Sequence, residues 1–342
     1  MFLGFFIMPE LPEVETTVRD LQKIVGQKIE DVWTDFPKMV HLRRAVAETA
    51  KASKRQGSSG QVKKPRPSIR AEVGIGLVPH QNKISGAGGF EEFKKEIKGK
   101  KIQKILRRGK NILIDLSGGK TLLIHQKLTG HLLYGKWKME NGKWKSEIPG
   151  PLADDPMNRF LHLIFWLDDK GMLALSDLRK FAKAELWDTE ELRKNSEFKS
   201  LGPEPLEKSF TLGTFKEIFK NRKGKVKQVL MDQTVIAGIG NIYSDEILWQ
   251  AKIHPFKEVS KLSEEELKKI YRSIQTILKQ AIKAKGESIS DFRRPSGEKG
   301  EFDPLRKVYR KEGEPCPRCG TEIQRKKIGG RSAHFCPHCQ PF

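Results

Sequence analysis

Cysteine is nearly absent from this chain: four residues among 342, all at or after Cys316. That distribution excludes a disulfide framework spread through a secreted fold and leaves a local cluster at home in a reducing cytosol. Long apolar runs are missing too. Nothing approaches the roughly 20 residues that span a bilayer, and the opening "MFLGFFIM" carries neither a basic flank nor a small-residue cleavage site, which excludes a secretory signal. Acids are in deficit, 43 Asp plus Glu against 65 Lys plus Arg, for a formal net charge of +22. A surplus of that size points to a polyanionic partner, nucleic acid or anionic lipid. No internal repeat is evident.

The length suits two domains, each with a sizeable core. After residues 1–8, the pattern predicts a helix from Val14 to Val25 and a strand from Lys28 to Trp33. Residues 42–89, with "KASKRQGSSGQVKKPRPSIR", read as a flexible basic insertion. Strand-like runs such as "KIQKILRRGKNILIDL" and "RFLHLIFWLDD", separated by Gly and Asp turns, then carry a β-rich domain over 9–195. Beyond "LGPEPL" the period changes to that of helices, predicted at Thr214–Asn221, Lys225–Met231, Asn241–Trp249 and Ser263–Lys285, the last opened by a Ser263/Glu266 capping box. This second domain spans 205–300 and ends in a loop, Glu287–Gly300, expected to be mobile without a ligand; residues 308–342 follow as a third unit.

"CPRC" at Cys316–Cys319 and "CPHC" at Cys336–Cys339 are separated by sixteen residues. Two such knuckles let four thiolates converge on one tetrahedral Zn2+, and four protein ligands leave no open position, so the metal holds structure and performs no chemistry. A redox dithiol is the competing reading of a single C-x-x-C, and two pairs at this spacing favour zinc. His334 and His338 are expected at the surface. The basic stretch between the knuckles, "QRKKIGGRSAHF", suits a phosphate backbone.

"PELPEVET" at Pro9–Thr16 has two readings. It is a rigid approach to a helix, with Pro12 in the first turn and acids that complement the dipole. Alternatively, if the chain starts at Met8 and loses that methionine, Pro9 presents a secondary amine titrating near 8, in part neutral and nucleophilic at neutral pH. Its attack on a sugar's anomeric carbon gives an iminium, and Glu10 beside it can shuttle protons. Residues 1–8 are then a misassigned or removed extension; retained, they turn the Pro9 nitrogen into an amide with a delocalised lone pair.

These segments, with "RRGKNILIDL" (107–116), "DLRKF" (177–181), "LGPEPL" (201–206), "AGIGNIYSDEIL" (237–248) and "GGRSAHFCPHCQ" (329–340), resemble bacterial formamidopyrimidine-DNA glycosylases. They occur in family order and cover nearly all the chain outside residues 1–7 and the insertion. The resemblance implies an α+β fold: an N-terminal β-sandwich domain with flanking helices, and a C-terminal helix–two-turn–helix domain with a zinc-finger β-hairpin, flanking a DNA cleft. It implies a glycosylase and abasic-site lyase of base-excision repair, acting as a monomer in the cytosol on duplex DNA with oxidised purines. Pro9 forms the Schiff base and Glu10 is its acid/base partner. Lys110 and Arg331 grip phosphates near the lesion and serve β- and δ-elimination. Asn241 contacts phosphate together with N–H groups of its helix N-terminus, while Lys227 and Tyr243 line the same cleft; Arg222 and His162 are further DNA contacts.

Extruding a base leaves a void. "DLRKF" supplies Phe181 as a wedge and Arg179 as donors to the orphaned partner base. The chain departs from the family at "HQKLTG", where Leu128 takes the place of the usual Met, and at "NRFLH", where Phe160 replaces a histidine. Two alternatives remain: a silent damaged-DNA-binding protein if the extension persists, and an endonuclease VIII-like enzyme for oxidised pyrimidines.

Overall fold

The computed structural model describes residues 8–43, 83–84, 87–153, 155–288 and 292–342. Pro12 lies in the first turn of helix α1 (Leu11–Asp20), where its missing N–H costs nothing, and the Glu10 N–H donates to Glu13 Oε2 at 2.8 Å. The helix therefore begins at Leu11 rather than Val14, and it passes into a 3-10 turn at Leu21–Ile24. Val14, Val18 and Leu21 bury into one core and Leu11 into another. One short helix thus belongs to both domains.

The first domain contains β1 (Ile29–Thr34), β2 (Val40–Arg43), β3 (Lys83–Ile84), helix α2 (Ala87–Ile97), β4 (Ile102–Arg108), β5 (Asn111–Leu116), β6 (Lys120–His125) and β7 (Gly130–Gly135). A hairpin of β8 (Trp137–Glu140) and β9 (Lys143–Ser146) follows, then β10 (Leu161–Leu167), β11 (Met172–Asp177) and β12 (Lys183–Asp188). Two sheets face each other, a four-stranded one ordered β1-β10-β11-β7 and a six-stranded one ordered β3-β2-β12-β6-β5-β4. Neighbours are antiparallel except β2 and β12. Alternation fixes the register: Ile112, Ile114 and Leu116 of β5 all point inward, and a slip by one residue would expose all three. The expected insertion is narrower than 42–89, because Leu42 is buried in β2 and Gly88 and Gly89 belong to α2. Most of it lies outside the described residues.

After the short helices α3 (Thr189–Lys194) and α4 (Ser196–Lys199), the second domain packs α5 (Leu212–Lys220), α6 (Val226–Met231), α7 (Asn241–Ala251) and α8 (Glu264–Lys283) around Phe215, Leu230, Ile247, Ile274 and Leu278. The capping box at Ser263 is formed in both directions, with Ser263 Oγ accepting from the Glu266 N–H and Glu266 Oε2 from the Ser263 N–H. Strands β13 (Gln324–Ile328) and β14 (Arg331–Phe335) form the terminal hairpin. Among the described residues no helix is long and apolar enough to cross a membrane.

Candidate active site and nucleic-acid interface

The Gly-rich turn before α7 was expected to offer its N–H groups to a DNA phosphate. Three of them are already engaged. Glu10 Oε2 accepts from the Gly240 N–H at 2.7 Å, Glu10 Oε1 from Ile242 at 2.8 Å, and Tyr243 adds a longer contact at 3.4 Å. The anion at this helix N-terminus is the protein's own carboxylate. A Cβ at Gly240 would lie 2.4 Å from Glu10 Cδ, so the glycine is required by the carboxylate against it. Asn241 is half-buried at the head of α7 beside Tyr309.

Glu13, one helical turn on, was not singled out by sequence reasoning. Its carboxyl accepts from the Glu10 N–H, the Tyr243 hydroxyl at 2.5 Å and the Glu287 N–H at 2.8 Å. Burial, and then the neighbouring Glu10 charge, push its pKa up to about 8. Glu10 is also raised by burial, opposed chiefly by the positive charge of Lys110. Lys110, itself buried, is lowered by burial and by Arg331, while Glu10 and Glu13 oppose that shift. The structure therefore gathers Glu10, Lys110 and Arg331 into one electrostatic cluster, with Pro9 buried next to Glu10. Between the unfolded carboxyl value near 4.5 and 8, folded Glu13 keeps a proton that the unfolded chain has lost. Stability must then fall as pH rises through that window. Glu13→Gln removes this titration, so the drop in Tm from pH 5 to pH 8 should be smaller than in the wild type; equal slopes would show that Glu13 titrates normally.

Lys110 sits in the turn between β4 and β5, as expected, and the motif "LGPEPL" is what holds that turn. Glu204 accepts from Gly109 N–H at 2.6 Å, Arg107 at 2.5 Å and Arg108 at 3.1 Å. Gly109 has φ +57° and faces Ala237. The signal was visible in the sequence as an acid in a quoted motif facing "RRGK", but only the fold reveals the pairing.

On the sandwich side, Asp177 organises the loops that carry Leu128 and Phe181. Its carboxylate accepts from the Thr129 hydroxyl, from the Ala182 N–H at 2.7 Å and from the Arg179 N–H at 3.2 Å. This brings "HQKLTG" and "DLRKF" together: Leu128 and Phe181 line one shallow cavity of about 400 Å³ with Met8, Lys38, Lys127, Lys180 and Lys183. Phe181 is 49% exposed, an unfavourable position for a ring with no partner to enter, and Arg179 stacks on it with the guanidinium 4.7 Å from the ring centroid.

The four cysteine Sγ atoms lie within 4.8 Å of one another. Trp249 Nε1 donates to Cys316 Sγ at 3.5 Å and the Cys339 N–H to Cys336 Sγ at 3.4 Å, donors suited to thiolates. The set fits one structural zinc. Arg331 begins β14 and is exposed.

Several expected contacts are corrected. Lys227 is fully buried, with Nζ 2.5 Å from Asp245 Oδ1 and 2.8 Å from the Ser332 carbonyl. Tyr243 is likewise buried on Glu13, so neither side chain lines a cleft. His162 is buried, with Nδ1 2.8 Å from Asp35. His334 is not a surface residue: its N–H and Nδ1 bond Asp245 Oδ2 at 3.0 and 2.9 Å. His338 is exposed, as expected, and Arg222 is exposed too. Glu246 was missed; it accepts the N–H groups of Lys307, Val308 and Tyr309 and ties α7 to the terminal unit. The loop after α8 is anchored in its described part, with Arg294 bonded to Asp20.

The family model for the formamidopyrimidine-DNA glycosylase N-terminal domain matches residues 8–62 and 71–184, the one for the H2TH domain of the same enzyme matches 201–293, and that for the zinc finger found in FPG and IleRS matches 313–341. The chain is 36% identical over 334 residues to a formamidopyrimidine-DNA glycosylase of Pelotomaculum thermopropionicum, covering 97% of this chain and 99% of the relative. A second, from Lactococcus lactis subsp. cremoris, is 36% identical over 335 residues, with 97% and 99% covered. Among solved structures, the Lactococcus lactis Fpg bound to abasic-site DNA superposes with a TM-score of 0.73 at 34% identity, covering 97% of this chain and 100% of that one. The same organism's wild-type enzyme with DNA containing N7-benzyl-Fapy-dG gives 0.73 at 35%, covering 98% and 100%. With matches along nearly its whole length and a cluster of buried Glu10 and Lys110 with exposed Arg331 behind them, the chain belongs to the formamidopyrimidine-DNA glycosylase family.

Proposed function

We propose that this protein removes oxidised purines, 8-oxoguanine and formamidopyrimidines, from duplex DNA and then cleaves the strand, as a monomer in the bacterial cytosol. The observation that carries the reading is the seating of Glu10 on the N-terminus of α7, which fixes the residue after Pro9 beside Lys110. A Pro9 amine attacks C1′ of the damaged nucleotide as the C1′–N9 bond breaks and the base leaves with a proton; the amine sheds its own proton, its lone pair forms C1′=N+ as the C1′–O4′ bond opens, and O4′ takes a proton. The resulting iminium acidifies the C2′ hydrogens, so a base removes one and the 3′ phosphate departs (β-elimination); a second elimination releases the 5′ phosphate and leaves a gap. Glu10, raised by burial, is suited to giving and taking these protons. Lys110 and Arg331 supply positive charge for the phosphates. Zinc takes no part in these steps; it supports the hairpin that carries Arg331. Leu128 and Phe181 fill the space left by the base and Arg179 faces its partner.

Arg179 donors suit the acceptors of cytosine, whereas adenine presents a different edge. Single-turnover excision of 8-oxoguanine should be faster opposite C than opposite A, and Arg179→Ala should reduce that preference by about tenfold, within the range of one good polar contact. An unchanged C/A ratio would assign partner reading to another residue, and absence of 8-oxoguanine excision by the wild type would overturn the substrate reading.

A further inference from the structure

We infer that Asp245, together with Lys227 and His334, closes the open edge of β14 and thereby places Arg331 for the second elimination, so that Asp245 and His334 are positioning residues for strand cleavage. The inference rests on the reading above, in which Arg331 supplies charge for a departing phosphate.

The terminal hairpin has two strands, so β14 pairs with β13 along one edge and has no strand on the other. Backbone groups on such an edge need partners wherever they are buried. Two of them find side chains. Lys227 Nζ donates to the Ser332 carbonyl at 2.8 Å, and Asp245 Oδ2 accepts from the His334 N–H at 3.0 Å. Ser332 and His334 are two residues apart, so both groups leave the strand on the same side. The donor and the acceptor are in turn joined to each other, Nζ to Oδ1, at 2.5 Å. An ion pair stands where a third strand would lie. The His334 ring folds back onto the same carboxylate with Nδ1 2.9 Å from Oδ2, and because a carboxylate only accepts, Nδ1 carries the hydrogen. On its other sides the ring meets the edge of Tyr309 and, 3.5 Å from Nε2, Glu312 Oε2.

The side chains of Lys227 and Asp245 are wholly buried. A buried ion pair is a weak source of stability, and replacing both partners together is often neutral. What this pair fixes is the place of a strand. Arg331 is the first residue of β14, next to Ser332, and is exposed, so the backbone beneath it decides where its guanidinium can reach. The turn before it, Gly329–Gly330, packs on the residue after Lys227: a Cβ at Gly329 would lie 2.4 Å from Gln228 Nε2. Asp245 belongs to α7, whose first amides hold Glu10. The strand of Arg331 and the carboxylate beside Pro9 are thus referred to one helix, about one turn apart.

In the second elimination a base takes the C4′ proton and the C4′–H electron pair enters the conjugated iminium. Electrons then return to form C4′=C5′ as the C5′–O bond breaks, and the 5′ phosphate leaves with that bond's pair. Charge grows on the departing oxygen, and a displaced guanidinium stabilises it less. Schiff-base formation comes earlier and uses Pro9 and Glu10, which the pin does not touch.

The test follows single-turnover cleavage of an abasic-site duplex by variants whose zinc content has been assayed. Borohydride trapping at Pro9 is measured beside the partition between β- and δ-elimination products. His334→Leu removes the Nδ1 donor and keeps apolar bulk, whereas His334→Asn offers an amide N–H near the same position. His334→Leu should trap within about twofold of wild type while the second elimination slows about tenfold, the range of a modest misplacement. His334→Asn should recover most of that rate. Lys227→Met/Asp245→Asn removes both buried charges at once, which avoids the uncompensated charge left by either single change, and should slow the second elimination at least as much. An unchanged partition, equal losses in trapping and in the second elimination, or His334→Asn no faster than His334→Leu would each overturn the pin. Arg331→Ala separates this failure from that of the underlying reading: a partition that responds to Arg331→Ala and ignores His334→Leu sinks the pin alone, and one that ignores both sinks the role given to Arg331 as well. Hydrogen exchange on the DNA-free protein tests the pin without any substrate. The residue-334 amide should lose protection in Lys227→Met/Asp245→Asn, and undiminished protection would refute it.

Discussion

Borohydride added during reaction with lesion DNA is expected to trap a covalent adduct at Pro9 when the protein is made from Met8 and the methionine is removed. A chain that keeps residues 1–8 should bind the same DNA, form no adduct at Pro9 and cleave about a thousandfold more slowly, the scale seen when a covalent nucleophile is removed. The reason is electronic: an acylated proline nitrogen has its lone pair delocalised into the carbonyl. The surroundings of Pro9 suit an amine that must shed and regain protons, because it is buried next to Glu10, whose carboxyl is raised by burial and steadied by three backbone N–H groups. Equal trapping by both chains, with the retained extension verified by mass spectrometry, would assign the attack to another amine, and Lys110 would be the first candidate.

Loss of the metal should be nearly as severe. Stripping zinc, or Cys316→Ser, is expected to unfold residues 308–342 and weaken DNA binding by about a hundredfold or more, since a closed four-thiolate site contributes on the order of 10 kcal/mol of folding energy. The metal ligands are also part of the unit's packing: Cys316 and Cys336 are themselves core residues, packed with Trp249, Val308 and Ile323. Arg331 would lose its place on β14 with them. Fluorescence anisotropy on protein whose metal content has been assayed gives the answer, and full affinity without metal would rule out this role.

How much of this was legible beforehand follows from what kind of information each residue carries. The two cysteine knuckles, the capping box at Ser263 and the alternation in β5 are local patterns, and each survived contact with the fold. Pro9 and Glu10 were legible as one of two readings of their own stretch, whereas Lys110 and Arg331 were legible only through resemblance, because their meeting with Glu10 depends on chain segments far apart in sequence. Lys227 and Tyr243 misled for the opposite reason. Both residue types often face DNA, yet each is the buried half of a pair whose other half, Asp245 or Glu13, carries no signal of its own. The loop after α8 was read from composition alone; its order comes from Asp20 and Tyr134, which no local pattern connects to it.

The seating of Glu10 on α7 has one further consequence. Leu11 donates its N–H to the Gly238 carbonyl and buries its side chain in the second core, while Glu10 takes the amides of Gly240 and Ile242. Residues 10–11 are, in effect, a peptide ligand of the C-terminal domain, supplied on a tether by the N-terminal domain. Tethering holds such a ligand at an effective concentration far above any reached in free solution, on the order of millimolar for short flexible links. Assembly of the two domains and seating of the Glu10 carboxylate are then a single binding event, and a protein whose halves have come apart loses both at once.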